Sequence, residues 1–172
     1  MVLTISSRAD LDVHLTAIEL ATTKAMAAIA EASSPKDALR RMKFEAVGFH
    51  PIKGHPLNLI EQVNQTFTYL VALKATEWLL EHHPDAGGFR LAPGADAALP
   101  LDIMSVSPGL VGAETFAAVH PNNNRKLAGD LRKLASSDCQ HRYAFFYAPG
   151  FEIGRLQKLE RMTGIEVHCV DI

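Results

Sequence analysis

The chain has 172 residues, 48% of them hydrophobic, and a formal net charge of −2. That is enough apolar material for one domain with an added helical extension, and the charge excludes a global basic field, although a local basic patch would suffice for contact with nucleic acid. Cys139 and Cys169 are the only cysteines, which excludes a disulfide framework and leads us to expect a reduced, cytoplasmic compartment.

The N-terminal MVLTISSRADLDVHL lacks the basic-then-apolar pattern of a secretion signal. No run reaches the ~18 apolar residues of a membrane span, so no membrane partner is expected. Residues 7–32 read as a helix, with Ser7 or Asp10 as cap and a broad stripe of Leu15, Ile18, Leu20, Ala21, Met26 and Ile29. Ser33-Ser34-Pro35 ends it and opens a short second helix, with Pro35 suited to the first turn. Residues 44–56 (FEAVGFHPIKGHP) carry two Gly and two Pro. They read as a linker or irregular loop and set the expected boundary between a helical extension, 1–55, and an α/β domain, 56–172.

A long amphipathic helix is expected over about 57–82, with Ile60, Val63, Phe67, Leu70, Val71, Lys74 and Trp78 at helical spacing toward a core. Three strands follow, near 88–92, 100–106 and 110–119, punctuated by Pro93-Gly94 and Pro108-Gly109. Asn122 to Asn124 offer caps for a helix to about Ala135. The run YAFFY, residues 143–147, reads as a buried strand. Residues 151–163 read as a helix closed by Gly164, and 165–171 alternate as a last strand.

Strand side chains alternate between faces. Asp102 therefore shares a face with Met104 and Val106, and Glu114 shares one with Gly112, Phe116 and Ala118. Each acid interrupts an otherwise apolar strand, which is costly unless something compensates. A hairpin through Pro108-Gly109 would bring the two carboxylates together, and two such groups suit a hard divalent cation such as Mg²⁺. The plainer expectation has Asp102 in water at a strand end and Glu114 paired with a Lys or Arg. With Ile60 as the centre of the apolar face, Glu61 and Gln65 fall on the flank of the long helix, about 100° and 140° round, and Asn64 falls within the face. Glu61 also suits the helix dipole as an early-turn acid.

Arg125 and Arg132 stand seven apart, as do Lys126 and Lys133. Seven residues is close to two turns, so the four form a basic stripe. It reads as a solvated face, as a phosphate contact, or as the source of a lysine, Lys126, reaching the acidic pair. The eight histidines do not assemble a zinc motif: His82-His83 and His50/His55 lack the i,i+4 spacing, and the cysteines form no CxxC. No phosphate-binding glycine loop of the GxxxxGK or GxGxxG type occurs.

The order helix, three strands, helix, strand, with Glu61 on the helix, Asp102 on the second strand and Glu114 on the third, resembles the PD-(D/E)XK nuclease superfamily over about residues 57–147. The resemblance implies a restriction-endonuclease-like three-layer α/β/α core, with a central mixed sheet of about four to five strands. It implies Mg²⁺ held by Asp102 and Glu114, with catalysis on DNA assisted by Glu61 and a lysine. The family places that lysine two positions after the second acid, where this chain has Phe116. Lys126 is then the expected substitute and Arg125 the next. Arg125, Lys126, Arg132, Lys133 and Gln65 are the expected nucleic-acid contacts. A Mg²⁺-dependent endonuclease-like domain is the leading expectation. The alternatives are a non-catalytic module of the same fold that binds nucleic acid or a protein, and a structural or oligomeric domain, such as a homodimer, with helix 7–32 packing against a second subunit.

Overall fold

The structure is a computed structural model describing residues 1–94 and 98–172. The chain forms two compact units, Met1–Arg8 with Leu70–Ile172, and Ala9–Tyr69. The 55/56 boundary read from the sequence falls inside the second of these.

The first unit is α/β and contains a mixed seven-stranded sheet. Its strands are β1 (Leu3–Ile5), β4 (Phe89–Leu91), β5 (Ile103–Ser105), β6 (Val111–Ala117), β7 (His141–Tyr147), β8 (Gly154–Arg155) and β9 (Ile165–Cys169). The spatial order is β1-β4-β5-β6-β7-β9-β8. The pairs β1·β4, β4·β5, β5·β6 and β8·β9 are antiparallel, and β6·β7 and β7·β9 are parallel. Helix α4 (Lys126–Ala135) makes the crossover that a parallel β6–β7 pair requires.

The sheet has more strands than expected because two short edge strands carry almost no local signal. β1 is three residues, buried at Leu3 and Ile5, and is held by its pairing to β4. Gly88 makes that approach possible: its φ is +100°, and a Cβ there would lie 2.8 Å from the Ile5 carbonyl oxygen. β8 corrects the helix expected over 151–163. Gly154 takes φ +113°, pairs with Cys169, and is followed only by a single 3₁₀ turn at Gln157–Leu159. The Arg155 guanidinium forks onto Glu160 at 2.7 and 3.1 Å, which ties the segment back on itself rather than along a helix axis.

Helices cover both faces of this sheet. On one, Leu127, Leu131 and Leu134 of α4 pack on Phe116, Ala144 and Phe146. Full burial of each leucine stabilises by about 1.5–3 kcal/mol. On the other, Trp78 of helix α3 (Leu59–His82) meets Tyr143, Phe145 and His168, with ring centroids 5.4, 5.6 and 4.7 Å away.

The second unit holds most of helix α1 (Arg8–Ala30), helix α2 (Pro35–Phe44), the paired β2 (Gly48–Phe49) and β3 (Pro56–Leu57), and the first turns of α3. Ser34 caps α2 by accepting from the Asp37 N–H, with Pro35 in the first turn. The expected 44–56 linker is an ordered hairpin. His50 Nδ1 accepts from the N–H groups of Ile52 and Lys53, and the buried Gln62 accepts from Phe49 N–H at 2.8 Å.

The expected face of α3 is reversed in its first half. Ile60, Val63 and Phe67 are exposed, as is Asn64, while Leu59, Gln62 and Tyr69 are buried. In α1, Ile18 and Ala21 are buried as expected, but Leu20 and Met26 are exposed. No helix of the described residues is long and apolar enough to cross a membrane.

Candidate functional site

β5 and β6 form the expected antiparallel pair, in the register Ile103↔Ala113. One step beyond it Asp102 comes alongside Glu114, and the Asp102 N–H donates to Glu114 Oε1 at 3.2 Å. Asp102 stands just before β5 rather than inside it. Its neighbour strand continues, so β6 has backbone donors with no strand opposite. The Asp102 carboxylate answers one of them: Oδ2 accepts from Thr115 N–H at 2.9 Å and from Thr115 Oγ1 at 3.1 Å. Asp102 thus ends the β5–β6 pairing, and both acids are buried. Of the plainer expectation, the ion pair on Glu114 holds and the water around Asp102 does not.

The basic stripe divides. Lys133 Nζ lies 2.7 Å from Glu114 Oε1, the carboxylate 3% exposed and the lysine 48%. Lys126, expected to reach the acidic pair, bonds instead to Asp130 Oδ1 at 2.5 Å, one turn along its own helix. Its ammonium also lies 5.6 Å from the centroid of the Phe116 ring. Phe116 is buried and stacked on Phe146 at 5.5 Å, so the ring that stands in the motif's lysine position forms the floor beneath a lysine from α4.

Arg132 folds onto its own helix, Nε donating to the Ala128 carbonyl. Arg125 precedes α4 with φ +56°, and Asn124 has φ +52°. The expected asparagine cap is therefore absent: no side chain of Asn122 or Arg125 caps these turns. Glu61 and Gln65 lie on the part of α3 belonging to the other unit. Glu61 is exposed, and its N–H is bonded to Asn58 Oδ1.

Asp130 is the residue that sequence reasoning missed. It is 5% exposed, and its Oδ2 is buried with no hydrogen-bond partner. Its signal was available: Leu127, Asp130, Leu131 and Leu134 share one helical face, so an acid interrupts the apolar stripe of α4. Burial pushes all three carboxyls above their ordinary range. Asp102 and Asp130 push Glu114 further up, and Lys133 pulls it down. Lys126 and Lys133 likewise pull on Asp102 and Asp130. Three acids against two lysines form one coupled cluster that favours holding a proton.

Carboxylate oxygens are the donors a hard divalent cation prefers, and the unpaired Asp130 oxygen marks a polar demand that the protein does not meet. Among the described residues no group of three or more His, Cys, Asp or Glu stands ready to hold a metal. With Lys133 on Glu114, an ammonium supplies the positive charge. The two histidines of the 82–83 pair have other roles: His82 stacks on Trp78 at 3.7 Å, and His83 Nε2 bonds the Tyr143 hydroxyl at 2.8 Å. No protein-family model, curated protein or solved structure matches the chain.

Proposed function

We propose that the sheet-bearing unit is a nuclease-like domain that acts on phosphodiester bonds in DNA and depends on Mg²⁺. The observation that carries the reading is the buried cluster of Asp102, Glu114 and Asp130 under two lysines of α4. Buried acids with raised proton affinity beside partly exposed cations are a common signature of functional sites. The element order is compatible with it: α3, an antiparallel β4–β5–β6 meander, the α4 crossover and a parallel β7 come in the order helix, three strands, helix, strand on which the resemblance rests.

In this reading Asp102 and Glu114 would hold the cation in place of the Lys133 ammonium that lies on Glu114. Bound there, the metal would stabilise the charge that builds up on a reacting phosphate. Lys133, half exposed, then takes the phosphate-facing place that the sequence assigned to Lys126. Lys126 is held by Asp130 over Phe116. Arg125 and Arg132, beside this site in the same unit, are proposed as nucleic-acid contacts. Cys139 and Cys169 are free and buried, which suits a reduced, cytoplasmic setting. Exposed Val13, Leu20 and Met26 on α1 suit the homodimer expected from the same helix.

The second reading is a non-catalytic module of this fold. It is favoured by the Lys133–Glu114 pair and the two Thr115 bonds, which already engage both acids. Cleavage of branched, linear and single-stranded DNA with Mg²⁺ or Mn²⁺ separates the two. Wild type should cut at least one substrate, and Asp102→Asn and Asp102→Ala should not. Equal cleavage by all three proteins removes the site, and DNA binding without cleavage by any selects the second reading.

A further inference from the structure

We propose that a cleft at the starts of β7 and β9 binds a phosphate group, either free phosphate or a phosphate monoester. The cleft measures about 410 Å³, and Arg142, Arg155 and Arg161 line it with Glu160 and Glu166. It shares no residue with the acid cluster.

The charges do not cancel. Arg155 takes both carboxylates, forking onto Glu160 and reaching Glu166 at 2.8 Å. Glu166 also contacts His168 Nε2 at 3.0 Å. No carboxylate remains for the other two guanidiniums. Arg142 and Arg161 make no side-chain hydrogen bond or ion pair among the described residues, and Arg142 Nε is fully buried without a partner.

An acid in that position could take up a proton and lose its charge. A guanidinium cannot, because it stays protonated throughout the physiological range. Arg142 is half-buried and lines the cleft with no protein acceptor for its guanidinium, which leaves it open to an acceptor from solution. An anion would answer the charge of both guanidiniums, and the planar fork of Arg matches phosphate oxygens.

The Arg142 side chain lies close against the turn at Gly164. Gly164 takes φ +75°, and a Cβ there would lie 2.8 Å from Arg142 Nη2. Glycine at that position lets the guanidinium lie against the turn entering β9. Arg161 is exposed and lines the same cleft. The volume leaves room for a group esterified to the phosphate, which is why a monoester belongs in the test.

The test requires neither metal nor cleavage, so it stands apart from the nuclease reading. The full chain is titrated with inorganic phosphate and with a nucleoside 5′-monophosphate, against chloride at equal ionic strength. The Arg Nε–Hε resonances are followed by NMR, and the Arg142 signal is assigned by its loss in Arg142→Gln. The Arg142 resonance should shift saturably with at least one ligand. Arg161→Gln, at an exposed position, should weaken that binding by about three- to tenfold, and Arg142→Gln by about tenfold or more. Asp102→Asn should bind as wild type does. Tighter binding of the monophosphate assigns a monoester, and equal affinity assigns phosphate itself. No saturable shift below about 20 mM of either ligand overturns the proposal. So does unchanged affinity in Arg161→Gln and a folded Arg142→Gln, or binding only to a short DNA duplex.

Discussion

The acid cluster and the arginine cleft are mirror images in charge. The first sets Asp102, Glu114 and Asp130 against Lys126 and Lys133. The second sets Arg142, Arg155 and Arg161 against Glu160 and Glu166. Each has one charge too many, yet the two excesses are relieved differently. Burial raises the proton affinity of the acids, so a proton can neutralise the surplus carboxylate. Nothing of that kind is open to arginine, so the surplus guanidinium calls for a ligand. A buried acid is weak evidence for a bound ion unless geometry adds to it, whereas a half-buried arginine with no protein partner keeps its charge and leaves a place for an anion.

The largest expected effects would break the comparison outright. Asp102→Asn should abolish metal-dependent DNA cleavage while leaving phosphate binding intact, and Arg142→Gln should do the reverse. Loss of both properties in either folded variant would mean that the two regions are one site.

Next comes Lys133→Met, which strands Glu114 in a buried position. Breaking a buried pair costs about 3–5 kcal/mol. The half-exposed lysine and the readiness of Glu114 to protonate reduce that to about 2 kcal/mol at pH 7. Urea unfolding should show this cost shrinking toward pH 5, and a cost that does not change with pH would show that Glu114 does not take up the charge.

Asp130→Asn sharpens the proton argument. An acid whose folded proton affinity is raised contributes stability that is fully present below its unfolded value near ~4, and loses it as pH rises through the folded value. Removing Asp130 removes that loss. Relative to wild type, the variant should therefore gain about 1 kcal/mol between pH 4 and pH 8. Parallel stability curves for the two proteins would rule out a buried proton at Asp130.

The smallest effect concerns the other unit. Val63→Ser should change stability by less than about 0.5 kcal/mol because Val63 is exposed. A loss of 2 kcal/mol or more would restore the face of α3 read from its periodicity.

Periodicity and turn chemistry sufficed for the run from α3 to β7, because each of those elements carries its own repeat of apolar residues. The closeness of Asp102 and Glu114 was legible for the same reason: a two-residue alternation and one Pro-Gly turn determine which side chains stand opposite. The basic stripe was legible as a stripe. What each lysine meets was not, since that depends on how α4 is rotated against the sheet, and the tertiary packing gives Glu114 to Lys133 and leaves Lys126 to Asp130. Strands β1 and β8 were silent because β1 directly precedes a strong helical pattern and β8 lies within a stretch that itself reads as helical, and only long-range pairing to β4 and β9 makes them strands. The first half of α3 misled because Ile60, Val63 and Phe67 form a valid apolar stripe, while the side actually buried is defined by Gln62 reaching the hairpin at Phe49. Local order follows from the chain itself, whereas the partner of each charge and the buried side of each helix follow from contacts between residues far apart in it.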